Sequence, residues 1–235
     1  MSAADHRISQ QDPDFIRSTF ASIATRYDLA NHALSGGADF LWRAQAANIV
    51  KSWCPNVVLD LATGSGDLAL VLNRELPNAQ VIAADFCEPM LREAQKKSVP
   101  NLIAADGTRL PFADAAFDAL TVAFGLRNMA DYDVALDQMA RVIRPGGHVL
   151  VLDFSLPQSP ILRTLYRAYL HHVLPRFAGG VTGQPEAYTY LGDSIEAFPR
   201  GSDMLNRLAE AGFELPAARP LWFGIVTIYT ATRKR

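Results

Sequence analysis

The 235-residue chain is 49% hydrophobic and 20% charged, with a formal net charge of −2. Apolar residues spread along its whole length support a sizeable core and exclude both a disordered chain and a disulfide-stapled mini-protein. A near-neutral balance supplies no global basic field, so no nucleic-acid partner is expected.

Met1 to Gln11 is polar and mixed in charge. It lacks the apolar stretch of a signal peptide, and no run of about 18 apolar residues marks a membrane span, so a soluble cytoplasmic protein is expected. Up to about Pro55 the pattern is helical. Pro13-Asp14 marks a start, and Phe15, Phe20 and Ile23 recur near helical spacing. Ser35-Gly36-Gly37 interrupts, and a second helix is predicted over Asp39–Trp53.

From Asn56 to Phe154 the chain alternates. Apolar runs at Val57–Leu61, Val81–Ala84, Leu102–Ala105, Ala119–Ala123 and His148–Leu152 are predicted strands. Leu68–Glu75, Met90–Lys97 and Asp133–Ile143 are predicted helices between them. Arg144-Pro145-Gly146-Gly147 reads as a Pro-Gly turn between the last of these helices and its strand. Such alternation implies a parallel sheet covered on both faces. The two cysteines, Cys54 and Cys87, read as small hydrophobes in or near the core. His171 and His172 are adjacent and diverge on a helix, so no metal site is expected.

Leu156–Arg200 is a long, proline-punctuated insertion. Beyond it, a helix over Ser202–Ala211 and strands over Phe213–Ala217 and Phe223–Thr230 close the sheet. The expected fold is α/β: a doubly wound, mostly parallel seven-stranded sheet. It forms one domain over 1–235, with an N-terminal helical segment (1–55) and an inserted substrate lid (156–200).

The most informative stretch runs from Val57 through Asp60 to Thr63-Gly64-Ser65-Gly66-Asp67. An apolar strand enters a glycine turn and then a helix, which permits close backbone approach by a ligand. Gly64, Gly66 and Ala69 also fit the permissive dinucleotide pattern, and an ordinary strand-to-helix turn is the plain alternative. Asp60, just before the turn, suits a cationic or amino-bearing ligand better than a pyrophosphate. Asp85, ending the second strand, is placed to accept from ribose hydroxyls of any nucleoside. Asp106-Gly107, ending the third, is placed for an adenine amino group.

In this order the pieces resemble the class I, Rossmann-like S-adenosylmethionine-dependent methyltransferases. The resemblance is closer to one family within them, the menaquinone/ubiquinone biosynthesis C-methyltransferases. It is carried by Phe20 to Asn31, Leu34-Ser35-Gly36-Gly37, Leu41-Trp42-Arg43, Phe124-Gly125-Leu126-Arg127-Asn128-Met129, Leu152-Asp153-Phe154-Ser155 and Tyr188-x-Tyr190-Leu191-x-x-Ser194-Ile195. The resemblance implies methyl transfer from S-adenosylmethionine to a ring carbon of a demethylated, prenylated quinol. Thr63, Asp85, Asp106 and Gly107 would contact the methyl donor, with Asp60, Gly64 and Gly66 completing its site. Ala123 stands where the family often has serine, so a hydroxyl contribution there is absent.

Catalysis needs a deprotonated phenol aligned behind the methyl group, and a route for the ring proton to leave. Arg127 is the leading candidate, since a guanidinium can hold a phenolate or polarise a water. Its competing role is a salt bridge, to Asp131 or to Asp153. Tyr27 is a candidate hydrogen-bond partner of the quinol or a packing ring. Asp28 orients a reactant or caps a helix, and Asn128 is catalytic or caps the helix that follows. Tyr188 and Tyr190 line the lid or pack.

Within the insertion, Ile161–Leu174 has apolar residues around much of a helix, with Arg163, Arg167 and His171 forming a basic stripe. It is open to three uses: peripheral membrane contact, a homodimer interface, or core packing. Three other functions stay open on the sequence: a methyltransferase for another small molecule, an NAD-dependent oxidoreductase, and a silent binding protein.

Overall fold

The computed structural model describes residues 35–176 and 185–235, together with Asp14, residues 16–19 and residues 21–22. Tyr27 and Asp28 lie outside the described residues, as do the side chains of residues 185–188, Tyr188 among them.

Helix α1 (Ala38–Ser52) starts at Gly37, which follows Gly36; both hold a positive φ, of 79° and 58°, that a side chain would strain. Its buried stripe, Trp42, Ala46 and Val50, repeats every four residues. There follow β1 (Val57–Leu61), α2 (Asp67–Glu75), β2 (Gln80–Asp85), α3 (Glu88–Lys96), β3 (Leu102–Ala104) and β4 (Phe117–Ala123). A 3-10 turn (Leu126–Asn128) leads to α4 (Tyr132–Val142) and β5 (Ile143–Phe154). Then come α5 (Pro160–Ala168), a π turn (Tyr169–Val173), α6 (Pro185–Ala197), α7 (Ser202–Glu210), β6 (Phe213–Leu221) and β7 (Val226–Arg233).

The seven strands are ordered β3-β2-β1-β4-β5-β7-β6. The first five are parallel, and β7 runs antiparallel to both neighbours. Alternate residues of β1 feed two cores, Val58 on one face and Leu59 and Leu61 on the other. Trp42, Leu68, Leu72 and Ala94 of α1, α2 and α3 cover the first face. Leu136 and Met139 of α4, with Met204 and Leu208 of α7, cover the second. Both faces are therefore buried, which is why the strands read as unbroken apolar runs.

Four expectations are corrected. The Pro-Gly turn is no separate connection: α4 passes straight into β5, and Arg144–Gly147 bulge between the pairs Phe117–Ile143 and Ala119–His148. A proline, which cannot donate, and Gly146 at φ 77° are accommodated there without leaving the strand. Cys54 is exposed, while Cys87 is buried. β6 runs past Ala217 to Leu221, through a register shift between Glu214 and Ala217. Phe223 does not begin β7; it stands in a 3-10 turn (Trp222–Gly224) where φ is positive at all three residues.

Candidate active site

At the carboxyl ends of β1 and β4 the backbone is held in costly shapes. Ala62 after β1 and Phe124 after β4 have φ of 54° and 59°. Left-handed non-glycine residues of this kind cluster at functional sites, and no sequence pattern announces them. Gly64 and Gly66 have φ of 58° and 85°. A Cβ on Gly66 would lie 2.4 Å from Val99 Cγ2 and 3.1 Å from Ala94 Cβ, so this glycine lets α3 and its trailing loop close on the turn. Gly64 instead lines the main pocket, where a Cβ would meet Met90 Cε at 3.4 Å.

Asp85 stitches the turn to β2. Its Oδ2 accepts from Gly64 N at 2.8 Å and its Oδ1 from Cys87 N at 2.8 Å. Burial pushes this carboxyl up, against the pull of its backbone donors. Asp106 accepts from both the backbone N and the hydroxyl of Thr108 at 2.8 Å. Gly107 follows without room for a side chain, since a Cβ would stand 2.7 Å from Met129 Sδ. Gly64, Asp85, Asp106 and Gly107 thus line one pocket, together with Asn128 and the apolar Phe86 and Met90.

Asp60 and Thr63 face a smaller adjoining chamber, which also borders Arg43, Asp67 and Phe124. Asp60 is 1% exposed and accepts from Thr63 Oγ1 at 2.6 Å and Thr121 Oγ1 at 2.7 Å. Burial raises its carboxyl to about 6, despite those hydroxyls and the charge of Arg43. Gly64 borders both spaces. Gly66 lines neither and is a packing residue. Arg43, on α1, donates to Asp39, lies 3.5 Å from Asp67 and stands 5.7 Å from the Phe124 ring centroid. Its only sequence signal was its place in Leu41-Trp42-Arg43.

Gly125 opens the 3-10 turn after β4. A Cβ there would stand 2.4 Å from Ala62 Cβ, so β1 and β4 meet at their ends only because it is glycine. The turn delivers Arg127 into the interior. Arg127 NH1 donates to Phe124 O and to Asp153 Oδ1, both at 2.6 Å, and its Cζ stands 5.3 Å from the Phe154 ring centroid. Asp153 is therefore the salt-bridge partner. Asp131 instead caps α4, accepting from Asp133 N at 3.0 Å and Val134 N at 3.1 Å. Burial pushes the Asp153 carboxyl up, against the charge of Arg127.

Asn128 does not cap the helix. Its Nδ2 donates to Phe124 O at 3.3 Å, and its Oδ1 accepts from Tyr190 OH at 3.1 Å. Tyr190 links the inserted segment to the pocket wall. Burial raises the Tyr190 phenol, and the nearby charge of Arg127 opposes that. Among the described residues, no group of three His, Cys, Asp or Glu side chains could hold a metal ion.

The carboxylates of Asp60 and Asp85 approach the glycine turn, while Asp67 beside it is held by Lys97 at 2.5 Å and lies 3.5 Å from Arg43. A diphosphate would meet the buried carboxylates of Asp60 and Asp85, whereas a nucleoside bearing a cationic sulfur meets compensating charge. The residues present fit S-adenosylmethionine.

The ubiE/COQ5 methyltransferase family model matches residues 7–233. The chain is 44% identical over 219 residues to a demethylmenaquinone methyltransferase of Thermus thermophilus, spanning 91% of this chain and 99% of that one. It is 43% identical over 222 residues to a ubiquinone/menaquinone biosynthesis C-methyltransferase of Syntrophotalea carbinolica, spanning 92% and 93%. Among solved structures, a SAM-dependent methyltransferase of Thermotoga maritima aligns over 92% of this chain and 99% of its own, at 17% identity and TM-score 0.66. The [4+2]-cyclase SpnF aligns over 81% and 80%, at 16% identity and TM-score 0.59. Since a cyclase shares it, the fold alone carries no reaction.

Proposed function

The chain belongs to the ubiE/COQ5 methyltransferase family, and from that premise we propose that this S-adenosylmethionine-dependent enzyme methylates a ring carbon of a demethylated, prenylated quinol. The observation that carries the reading is likeness, over nine-tenths of the chain, to relatives named for that reaction. Asp85 and Gly64 hold the donor's sugar end, Asp106 and Gly107 its base, and Asp60 with Thr63 balances its cationic end from the adjoining chamber. When bound, S-adenosylmethionine supplies an electrophilic methyl group on a positively charged sulfur.

The acceptor side is built by the turn after β4 and the inserted segment 156–200, which acts as a lid. Arg127 is 6% exposed and does not itself line the pocket, so it acts through its charge, stabilising the phenolate that is the strong carbon nucleophile. Asp153 fixes the orientation of Arg127. Asn128, held by Tyr190, completes the wall against which the ring is aligned. Alignment of this kind contributes on the order of 7–11 kcal/mol in favourable cases.

No described helix is long and apolar enough to cross a membrane, so a bilayer-dissolved acceptor has to be met at the surface. Helix α5 suits that contact. It buries none of its residues, with Ile161 75% and Leu165 62% exposed.

The test is methyl transfer from labelled S-adenosylmethionine to demethylmenaquinol, the demethylated ubiquinol precursor and phosphatidylethanolamine. Label on a quinol ring is expected and selects the quinone. Label on the lipid amine alone overturns the acceptor assignment.

A further inference from the structure

We propose that Trp222 and Phe223 extend the surface of α5 into one lipid-docking face. The inference rests on the reading that the acceptor resides in a bilayer. Phe223 is 83% exposed and Trp222 50%, beside Ile161 at 75% and Leu165 at 62% on α5.

These residues are contiguous with the site and with α5. The Trp222 ring packs edge-on against Trp42 at 5.8 Å, and Trp42 packs against Phe124, at the pocket wall, at 6.1 Å. On the other side, a Cβ on Gly224 would lie 3.4 Å from Pro157 Cα. Arg163 of α5 donates to Pro157 O at 2.9 Å and Gln158 O at 3.0 Å, which ties the helix to the same strand end.

The tip's backbone sharpens the point. Trp222 and Phe223 hold φ of 45° and 58°, a left-handed conformation that bulky side chains rarely adopt. Phe223 gains little burial within the chain in return. Strain that is uncompensated inside the fold points to a use outside it.

Charge identifies the occupant. Leu156 to Arg176 contains three arginines, two histidines and no acidic residue. Glu196 offsets Arg167, which it binds at 2.7 and 2.5 Å. Arg163 and Arg176 donate to main-chain oxygens, contacts that leave their charge in place. Exposed Arg219 stands three residues before Trp222. A second copy of this chain would bring the same positive charges against these, whereas an anionic headgroup layer complements them. Aromatic tips beside basic residues suit the membrane–water boundary.

The test is flotation of the full chain with vesicles of equimolar phosphatidylcholine and phosphatidylglycerol, without quinol or methyl donor. Wild type should partition onto them and bind pure phosphatidylcholine at least several-fold less. Phe223→Asn should lower partition about tenfold. Because asparagine tolerates the left-handed region, its Tm should be no lower than that of wild type. Leu165→Ser, at an ordinary helical position on the exposed face of α5, should lower partition in the same direction. Equal partition of wild type and both variants overturns the proposal, as does no binding by wild type. So does a wild-type dimer in sedimentation that Phe223→Asn dissociates, which would assign the face to a second copy. Vesicle binding without quinol methylation would leave docking standing and remove the acceptor assignment; quinol methylation without vesicle binding would do the reverse.

Discussion

Arg127 and Asp153 meet at 2.6 Å in the interior, yet Arg127 Nε and Asp153 Oδ2 have no hydrogen-bond partner among the described residues. A purely structural ion pair at such depth is expected to satisfy its remaining polar atoms. Here two atoms are left over, sealed from solvent, so the pair is incompletely satisfied inside the fold. Removing one member strands the other, so Asp153→Ala should lose about 3–5 kcal/mol of stability. The double variant Arg127→Met, Asp153→Leu should regain most of it in thermal melts while methyl transfer stays absent. Recovery of both would reduce the pair to scaffold.

Gly64 and Gly66 look alike in sequence but differ in what surrounds them. Gly66→Ala pairs a left-handed φ with a 2.4 Å clash against Val99, so it should destabilise the fold by about 2–4 kcal/mol. Gly64→Ala pays the conformational term alone, about 1–2 kcal/mol, and its Cβ enters the pocket. Calorimetry should find donor affinity reduced about tenfold or more in Gly64→Ala, and changed far less in folded Gly66→Ala. The reverse ranking would move the binding role from Gly64 to Gly66.

Much of this was legible beforehand. The sheet was readable because every central strand is buried on both faces, which leaves uninterrupted runs such as Val81–Ala84. Asp85 ends β2 as read, whereas β3 stops at Ala104 and Asp106 lies two residues past it. Other features depend on contacts between distant segments, which a linear pattern does not encode. Asp153 was chosen over Asp131 only by the turn that aims Arg127 inward. The separation of Thr63 and Asp60 from the main pocket needed the positive φ of Ala62. Phe223 read as the start of a strand because its residue type favours β structure, and the left-handed backbone of the Trp222–Phe223 tip has no signature in residue type.

Asp60 gives the apo protein a pH dependence of predictable sign. Its carboxyl is raised to about 6 in the fold and is near 4 in an unfolded chain. The folded state therefore binds the extra proton, and stability falls as pH rises through that interval, by up to about 3 kcal/mol. A cationic ligand nearby favours the ionised form, so donor affinity should rise over the same range. Asp60→Asn should flatten both trends, with a higher apo Tm than wild type near neutral pH and weaker donor binding. Asp85, also raised by burial, leaves a residual slope of the same sign. Melts and titrations between about pH 4 and 7 measure this, and an unchanged slope in the variant would remove Asp60 from the account.

Tyr190 and Asn128 offer a way to separate positioning from stability on the acceptor side. The phenol donates to Asn128 Oδ1 at 3.1 Å, while Asn128 Nδ2 reaches only a long contact of 3.3 Å to Phe124 O. Without the phenol the amide loses its better anchor but stays in the fold. Tyr190→Phe keeps the ring and should lose no more than about 1 kcal/mol of stability, the net worth of one hydrogen bond. Because the Tyr190–Asn128 bond lies on the turn after β4 and not at the strand end that carries Asp85, the variant should bind S-adenosylmethionine normally. Its kcat for quinol methylation should nonetheless fall about tenfold, since the acceptor wall is no longer fixed when the methyl group transfers. Asn128→Asp should lower kcat further, because an added negative charge opposes a phenolate in the same pocket. If Tyr190→Phe leaves kcat intact while its melting temperature drops as expected, the hydrogen bond holds the inserted segment in place and has no part in aligning the ring.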